Sequence, residues 1–110
     1  MGYVYLASPY SGTVEQREQR FVAVCKVAAD RMKDGDVIFS PIAHGHAIEQ
    51  HMGGIQSHQF WMDQCFAMLR RADMLVVLCL PGWRDSKGVA LEIEFAKNNN
   101  IPCAFVVTSL

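Results

Sequence analysis

The stretch Met74 to Ala96, MLVVLCLPGWRDSKGVALEIEFA, carries the architecture. Met74 to Leu80 are all apolar and lack the alternation of a half-exposed strand, which points to a strand buried on both faces, as in a parallel sheet. The break that follows, Pro81 to Gly88, mixes turn formers with cationic, anionic and hydroxyl side chains. Helical periodicity then resumes. Val89, Leu91, Ile93, Phe95 and Ala96 form one apolar arc on a 3.6-residue wheel, and Glu92 falls inside it, between Phe95 and Ala96. Glu94 falls outside, beside Lys97. One of two neighbouring acids is thus aimed at the interior, one turn into a helix that follows a buried strand. Open α/β sheets bind ligands at that end of their strands.

Working outward, Tyr3 to Ala7 read as a first strand ended by the hydroxyl-rich loop Ser8-Pro9-Tyr10-Ser11-Gly12. Thr13 and Gln16 have the spacing of a capping box. Phe21, Val24, Cys25, Ala28 and Met32 continue as the apolar stripe of a helix that Gly35 stops. Glu15, Arg17, Glu18 and Arg20 read as a solvated face, with Arg17 and Arg20 placed to reach an anionic ligand. Val37 to Phe39 form a short second strand ended by Ser40 and Pro41. Ile42 to Gln56 carries His44, His46 and His51, then Gly53 and Gly54, with His58 just beyond. It reads as a flexible loop covering a pocket, one histidine touching the ligand, and its spacing matches no helical HExxH zinc pattern. Ser57 caps the next helix, with Trp61, Cys65, Met68 and Ala72 on one face and Asp63 on the opposite side. Asn98 to Asn100 stop the last helix, and Cys103 to Val107 form a final strand.

Strands and helices therefore alternate along the chain, which implies right-handed crossovers and a parallel sheet covered on both faces. The expected architecture is a three-layer, flavodoxin- or Rossmann-like α/β domain over residues 1–110, with strand order 2-1-3-4. That order sets the loops after the first and third strands side by side at the switch point. Ser8, Tyr10 and Ser11 would then face Arg84, Asp85, Ser86 and Gly88.

At 110 residues, 51% hydrophobic and a formal charge of −1, the chain suits one domain with a modest core. Its mixed charges give no basic footprint for a nucleic-acid polymer, and no apolar run approaches a membrane span. A small ligand and a cytoplasmic setting are expected, with no metal or organic cofactor. Cys25, Cys65, Cys79 and Cys103 fall in apolar patterns without a CxxC pair and read as reduced core thiols.

Three segments carry a resemblance: Tyr5-Leu6-Ala7-Ser8-Pro9-Tyr10-Ser11, Phe39-Ser40-Pro41, and Ser86-Lys87-Gly88-Val89-Ala90-Leu91-Glu92. The chain resembles the nucleoside 2-deoxyribosyltransferase superfamily, which includes the deoxynucleoside 5′-monophosphate N-glycosidases. The resemblance implies that Glu92 attacks the anomeric carbon of a deoxyribose, leaving a glycosyl ester that water or a second base resolves. It also implies a homodimer, a 5′-end site at Ser86 and Gly88 assisted by Arg84 or Asp85, and a facing wall at Ser8, Tyr10 and Ser11.

Two departures stand out. The arginine that the monophosphate hydrolases carry in the first loop is missing. Cys65 stands where the family has an assisting aspartate, with Asp63 two residues earlier as its candidate substitute. His44, His46, Tyr5 and Tyr10 are the other candidate proton donors. Two further readings fit the residues: a non-catalytic nucleotide-binding module whose Glu92 holds ribose hydroxyls, and an assembly protein with Phe60, Trp61 and Phe66 at an interface.

Overall fold

The apolar run becomes β3 (Met74–Cys79), an inner strand of a four-stranded sheet in the computed structural model, which describes residues 2–108. β1 (Val4–Ala7) pairs with it in parallel, Val4 opposite Met74 and Ala7 opposite Val77. β4 (Cys103–Val107) pairs in parallel along its other edge, Leu75 opposite Cys103, and β2 (Ile38–Phe39) lies outside β1. The strand order is 2-1-3-4, as the sequence predicts.

Alternation along the strands sends side chains into two cores. Leu6, Val76 and Leu78 pack with Val24 and Ala28 of α1 (Val14–Lys33). Tyr5, Leu75 and Val77 pack on the other face, with Leu69 of α3 (His58–Leu69) and Val89 and Ala96 of α4 (Lys87–Asn98). Covering both faces explains why β3 needs no polar residue. Each buried leucine or valine side chain there contributes about 1.5–3 kcal/mol.

The helix starts follow their caps. Thr13 and Gln16 form the reciprocal capping box of α1, and Ser57 and Ser86 accept from the backbone N–H of Phe60 and Val89 at the starts of α3 and α4. At the far end of α4, Asn100 takes a left-handed conformation, φ 57°, that turns the chain into β4.

Two expectations are corrected. The stretch read as a covering loop contains a helix, α2 (Pro41–Glu49). Ser40 and Pro41 do end β2, but they also begin this helix: Ser40 Oγ accepts from Ala43 N at 3.1 Å, and proline suits the first helical position because its missing N–H would have no helical partner. Gly45 lets α2 approach α3, since a Cβ there would sit 3.3 Å from the Trp61 ring.

The cysteines also divide. Cys79 is buried, Cys25 and Cys65 are half-buried, and Cys103, on the edge strand β4, is exposed. Phe105 on that edge rests against Trp83, and Val107 is 84% exposed.

Leu78→Ala should lower the free energy of unfolding by about 2–5 kcal/mol, read as a lower urea midpoint at an unchanged slope. Val107→Ala should stay within about 0.5 kcal/mol of the parent. Equal losses at the two positions would contradict the burial of β3.

Candidate active site

The parallel sheet places the loops after β1 and β3 side by side, and one side chain ties them together. Arg20 of α1 donates from Nη1 to the Ser11 carbonyl at 2.5 Å and from Nη2 to the Pro81 carbonyl at 3.2 Å. Gly82 follows with φ 87°, and a Cβ there would lie 3.0 Å from Arg20 Nη2, so backbone conformation and close approach both call for glycine. A short 3₁₀ turn, Trp83–Asp85, then leads to Ser86 at the start of α4.

Between these loops lies a cavity of about 140 Å³. Ser8, Tyr10 and Ser11 from the first loop, His46 and Glu49 from α2, Trp61 and Cys65 from α3, and Ser86 and Gly88 at the start of α4 all contribute to its wall. Ser8 is only 5% exposed, and its Oγ has no hydrogen-bond partner. A buried hydroxyl left unpaired costs about 1–3 kcal/mol, a cost that a polar ligand group in the cavity would relieve. Ser86 Oγ accepts from Val89 N at 3.2 Å and keeps acceptor capacity beyond that cap.

Glu92 lies one turn beyond Gly88 on α4, is 5% exposed, and does not itself line the cavity. The Tyr5 hydroxyl donates to its Oε2 from the floor of the sheet. Burial is the dominant influence and pushes the Glu92 carboxyl from 4.5 up to about 7, while the Tyr5 hydrogen bond acts in the opposite sense by favouring the anion. Tyr5 is driven far above its ordinary value by its own burial first and the Glu92 charge second. Burial and the same charge push the Cys65 thiol up to about 11, so Cys65 presents a neutral S–H near neutral pH.

A second polar cluster occupies the α2 side. Tyr10 Oη lies 2.7 Å from His46 Nδ1 and 2.8 Å from Glu49 Oε1. His46 Nε2 is 3.3 Å from Glu18 Oε2, and its ring stacks on Phe21 at 4.0 Å between centroids. Arg17 also acts on Tyr10, opposing the rise that burial and Glu49 produce, and its Nε is shielded from water without a hydrogen-bond partner.

The structure thus gathers Ser8, Tyr10, Ser11, Ser86 and Gly88 around one cavity, with Glu92 next to it along α4. It does not gather the rest. Asp63 is exposed on the outer side of α3, where its Oδ1 accepts from Gln59. Cys65 stands at the cavity instead, since two residues along a helix turn a side chain by about 200°. His44 is exposed, packs on Phe39 and lines a neighbouring cleft between α2 and α3. Arg84 and Asp85 lie in the 3₁₀ turn facing the β4 edge, with the Arg84 guanidinium over the Trp83 ring. Glu49 was not singled out from sequence. Once Ser40-Pro41 is taken as a helix start, His46 and Glu49 fall three residues apart on one face, and the pair becomes visible.

The same fold occurs in a solved structure of a 2-deoxyribosyltransferase from the psychrotolerant bacterium Bacillus psychrosaccharolyticus, with a TM-score of 0.67 and 19% identity. The match covers 97% of this chain and 73% of that one, and at this identity it is the fold that is shared. None of the curated proteins compared with the chain matches it. A family profile does match, over residues 2–107, and the chain belongs to that family, which is described as a domain of unknown function, DUF1937.

Proposed function

We propose that the protein cleaves or transfers the N-glycosidic bond of a 2′-deoxynucleoside or its 5′-monophosphate through a glycosyl ester on Glu92. One observation carries this reading: a carboxyl group buried beside a polar cavity at the switch point and held by a tyrosine hydroxyl. A fold shared with a 2-deoxyribosyltransferase supports the choice of substrate class.

In this mechanism the Glu92 carboxylate attacks C1′ as the bond to the base breaks, and shielding from water keeps the oxocarbenium-like centre from random capture. Tyr5 fixes the carboxylate oxygen it touches and leaves the other free to react. Gly88, without a side chain, keeps the wall nearest Glu92 open. Ser86 and the free backbone N–H groups at the start of α4 hold the 5′ end, and Ser8, Tyr10 and Ser11 hold the opposite side of the substrate. No metal or organic cofactor takes part. The protein works as a cytoplasmic homodimer; its four free cysteines suit a reducing compartment, and the exposed Ile48 and Met68 flank the α2–α3 cleft, where a second copy would cover them.

A second reading has its own support. Because Glu92 is engaged with Tyr5 and does not line the cavity, the same site suits a nucleotide-binding module without turnover.

Incubation with deoxynucleosides and their 5′-monophosphates, with and without an acceptor base, should release base. Release in water marks a hydrolase, and product formed only with acceptor marks a transferase. No release, together with a raised melting temperature in intact ribonucleotides, would select the binding module.

Glu92→Gln should abolish turnover while keeping the fold. Wild-type kcat/KM should rise about tenfold per pH unit below about 7 as the Glu92 carboxyl ionises, because only the ionised nucleophile attacks.

Stability should run the other way. A carboxyl whose value is raised on folding contributes fully below its unfolded value of 4.5, and the contribution is lost as pH rises through about 7. Glu92→Gln should therefore have a free energy of unfolding higher than the parent's at pH 8, by at most about 3 kcal/mol, with the gain fading below pH 5. Light scattering should give twice the 12.3 kDa chain mass.

A further inference from the structure

The glycosidic reading leaves one chemical need unmet: a proton for the departing base. Asp63 points to solvent, and Cys65 sits on the Glu92 side, within reach of that carboxylate's charge. In a displacement at C1′ the base leaves away from the nucleophile, so its donor belongs on the far side of the cavity. That side is built from the first loop and α2, and it carries Tyr10, His46 and Glu49.

We infer, on the basis of that reading, that Tyr10 is the proton donor to the leaving base, with His46 reloading it and Glu49 holding its hydroxyl in place. The hydrogen-bond directions suit the reloading step, and the Tyr10 O–H turns from Glu49 to the base nitrogen for the transfer. The Tyr10 O–H donates to Glu49 Oε1 at 2.8 Å, which leaves the Tyr10 oxygen to accept from His46 Nδ1–H at 2.7 Å. His46 Nε2 faces Glu18 Oε2 at 3.3 Å, so both ring nitrogens have an oxygen within hydrogen-bonding reach. Stacking on Phe21 fixes the ring plane. The titratable and charged groups around Tyr10 are Arg17 and Glu18 from α1 and His46 and Glu49 from α2.

Burial and Glu49 push the Tyr10 hydroxyl above its ordinary range, so on its own it would be a poor acid. The relay removes that difficulty, because no phenolate has to persist beside Glu49.

The step balances. As the C1′–N bond breaks, its electron pair stays on the base nitrogen, which takes the Tyr10 proton; the Tyr10 oxygen takes the Nδ1 proton of His46, and Glu92 forms the new C1′–O bond. When water resolves the ester, its proton returns through Tyr10 to the neutral His46, and Glu92 leaves as carboxylate. The orphan hydroxyl of Ser8 lies on the same cavity, ready to hold a polar group of the substrate while this happens.

The test compares leaving groups. Natural deoxynucleosides and their 5′-monophosphates need protonation at the base, whereas the deoxynucleosides of 7-methylguanine and 5-nitrouracil release their bases without it. Tyr10→Phe should lower kcat on the natural substrates about 10²–10⁴-fold and leave the activated ones within about fivefold of wild type. His46→Gln should show the same split, which loss of packing would not produce.

Equal losses on both substrate classes, or no loss on either, would overturn the relay while leaving the Glu92 mechanism in place. No cleavage of any of these substrates by the wild-type protein, or cleavage unaffected by Glu92→Gln, would overturn the glycosidic reading and the relay with it. Should Tyr10→Phe fail to fold, the split measured on His46→Gln alone decides.

Discussion

The parallel pairing of β1 with β3, both faces covered, is the constraint from which the rest of the molecule follows. Parallel neighbours cannot be joined by a tight turn, so each return passes through a helix, and the helices supply the apolar cover that Leu75 to Leu78 require. The same pairing brings two loops together at the carboxyl ends of the strands. With order 2-1-3-4, the α1 helix leaves to one side of the sheet and α4 to the other, and the gap between their starts is the crevice. Arg20 spans that crevice at its rim, so the two loops keep a common spacing although they are far apart in sequence.

Against this frame of apolar contacts, the Tyr5–Glu92 pair is the largest departure from what stability alone would select. A leucine at either position would suit its surroundings. The carboxyl instead sits between Val89 and Ala96 on the buried face of α4, and the hydroxyl that meets it comes from a strand residue with no exposure at all. Removing Tyr5's hydroxyl would leave the acid buried without its partner, which is costlier than replacing both groups together. A protein that keeps such a pair forgoes stability there, and chemistry at the neighbouring cavity is a sufficient reason.

Much of this was legible in the sequence because it rests on short-range signals. The unbroken apolar run gave β3, hydroxyl caps marked the starts of α1 and α3, and the inward face of Glu92 followed from helical phase alone. Helix α2 was not legible because Ser40-Pro41 serves two elements at once, and because His44, Gly45 and His46 mask any apolar stripe. The residues of that helix matter to the cavity, so missing it also hid Glu49. Arg84 and Asp85 were misplaced for a different reason: a 3₁₀ turn swings them toward the β4 edge, and no periodicity in a loop encodes its direction. Cys103 looked like a core residue because edge and inner strands share the same apolar composition, and only the sheet order distinguishes them.

Several local departures from ordinary folding rules border the crevice. Ser8 has a buried hydroxyl without a partner, Glu92 a buried carboxyl, Gly82 a left-handed backbone and Arg17 a shielded, unpaired Nε, and each belongs to an element that borders or approaches the crevice. At the opposite end, Gly35 and Asn100 turn the chain with left-handed backbone of their own, and Arg31 Nε lies shielded 3.2 Å from Asp36 Oδ2. Each of these costs is small beside the core. A crevice whose walls hold unsatisfied polar groups is stabilised when a polar ligand fills it. The unpaired Ser8 hydroxyl and the buried Glu92 carboxyl therefore argue, independently of any likeness in fold, for the carboxyl end of this sheet as a place that suits a polar ligand.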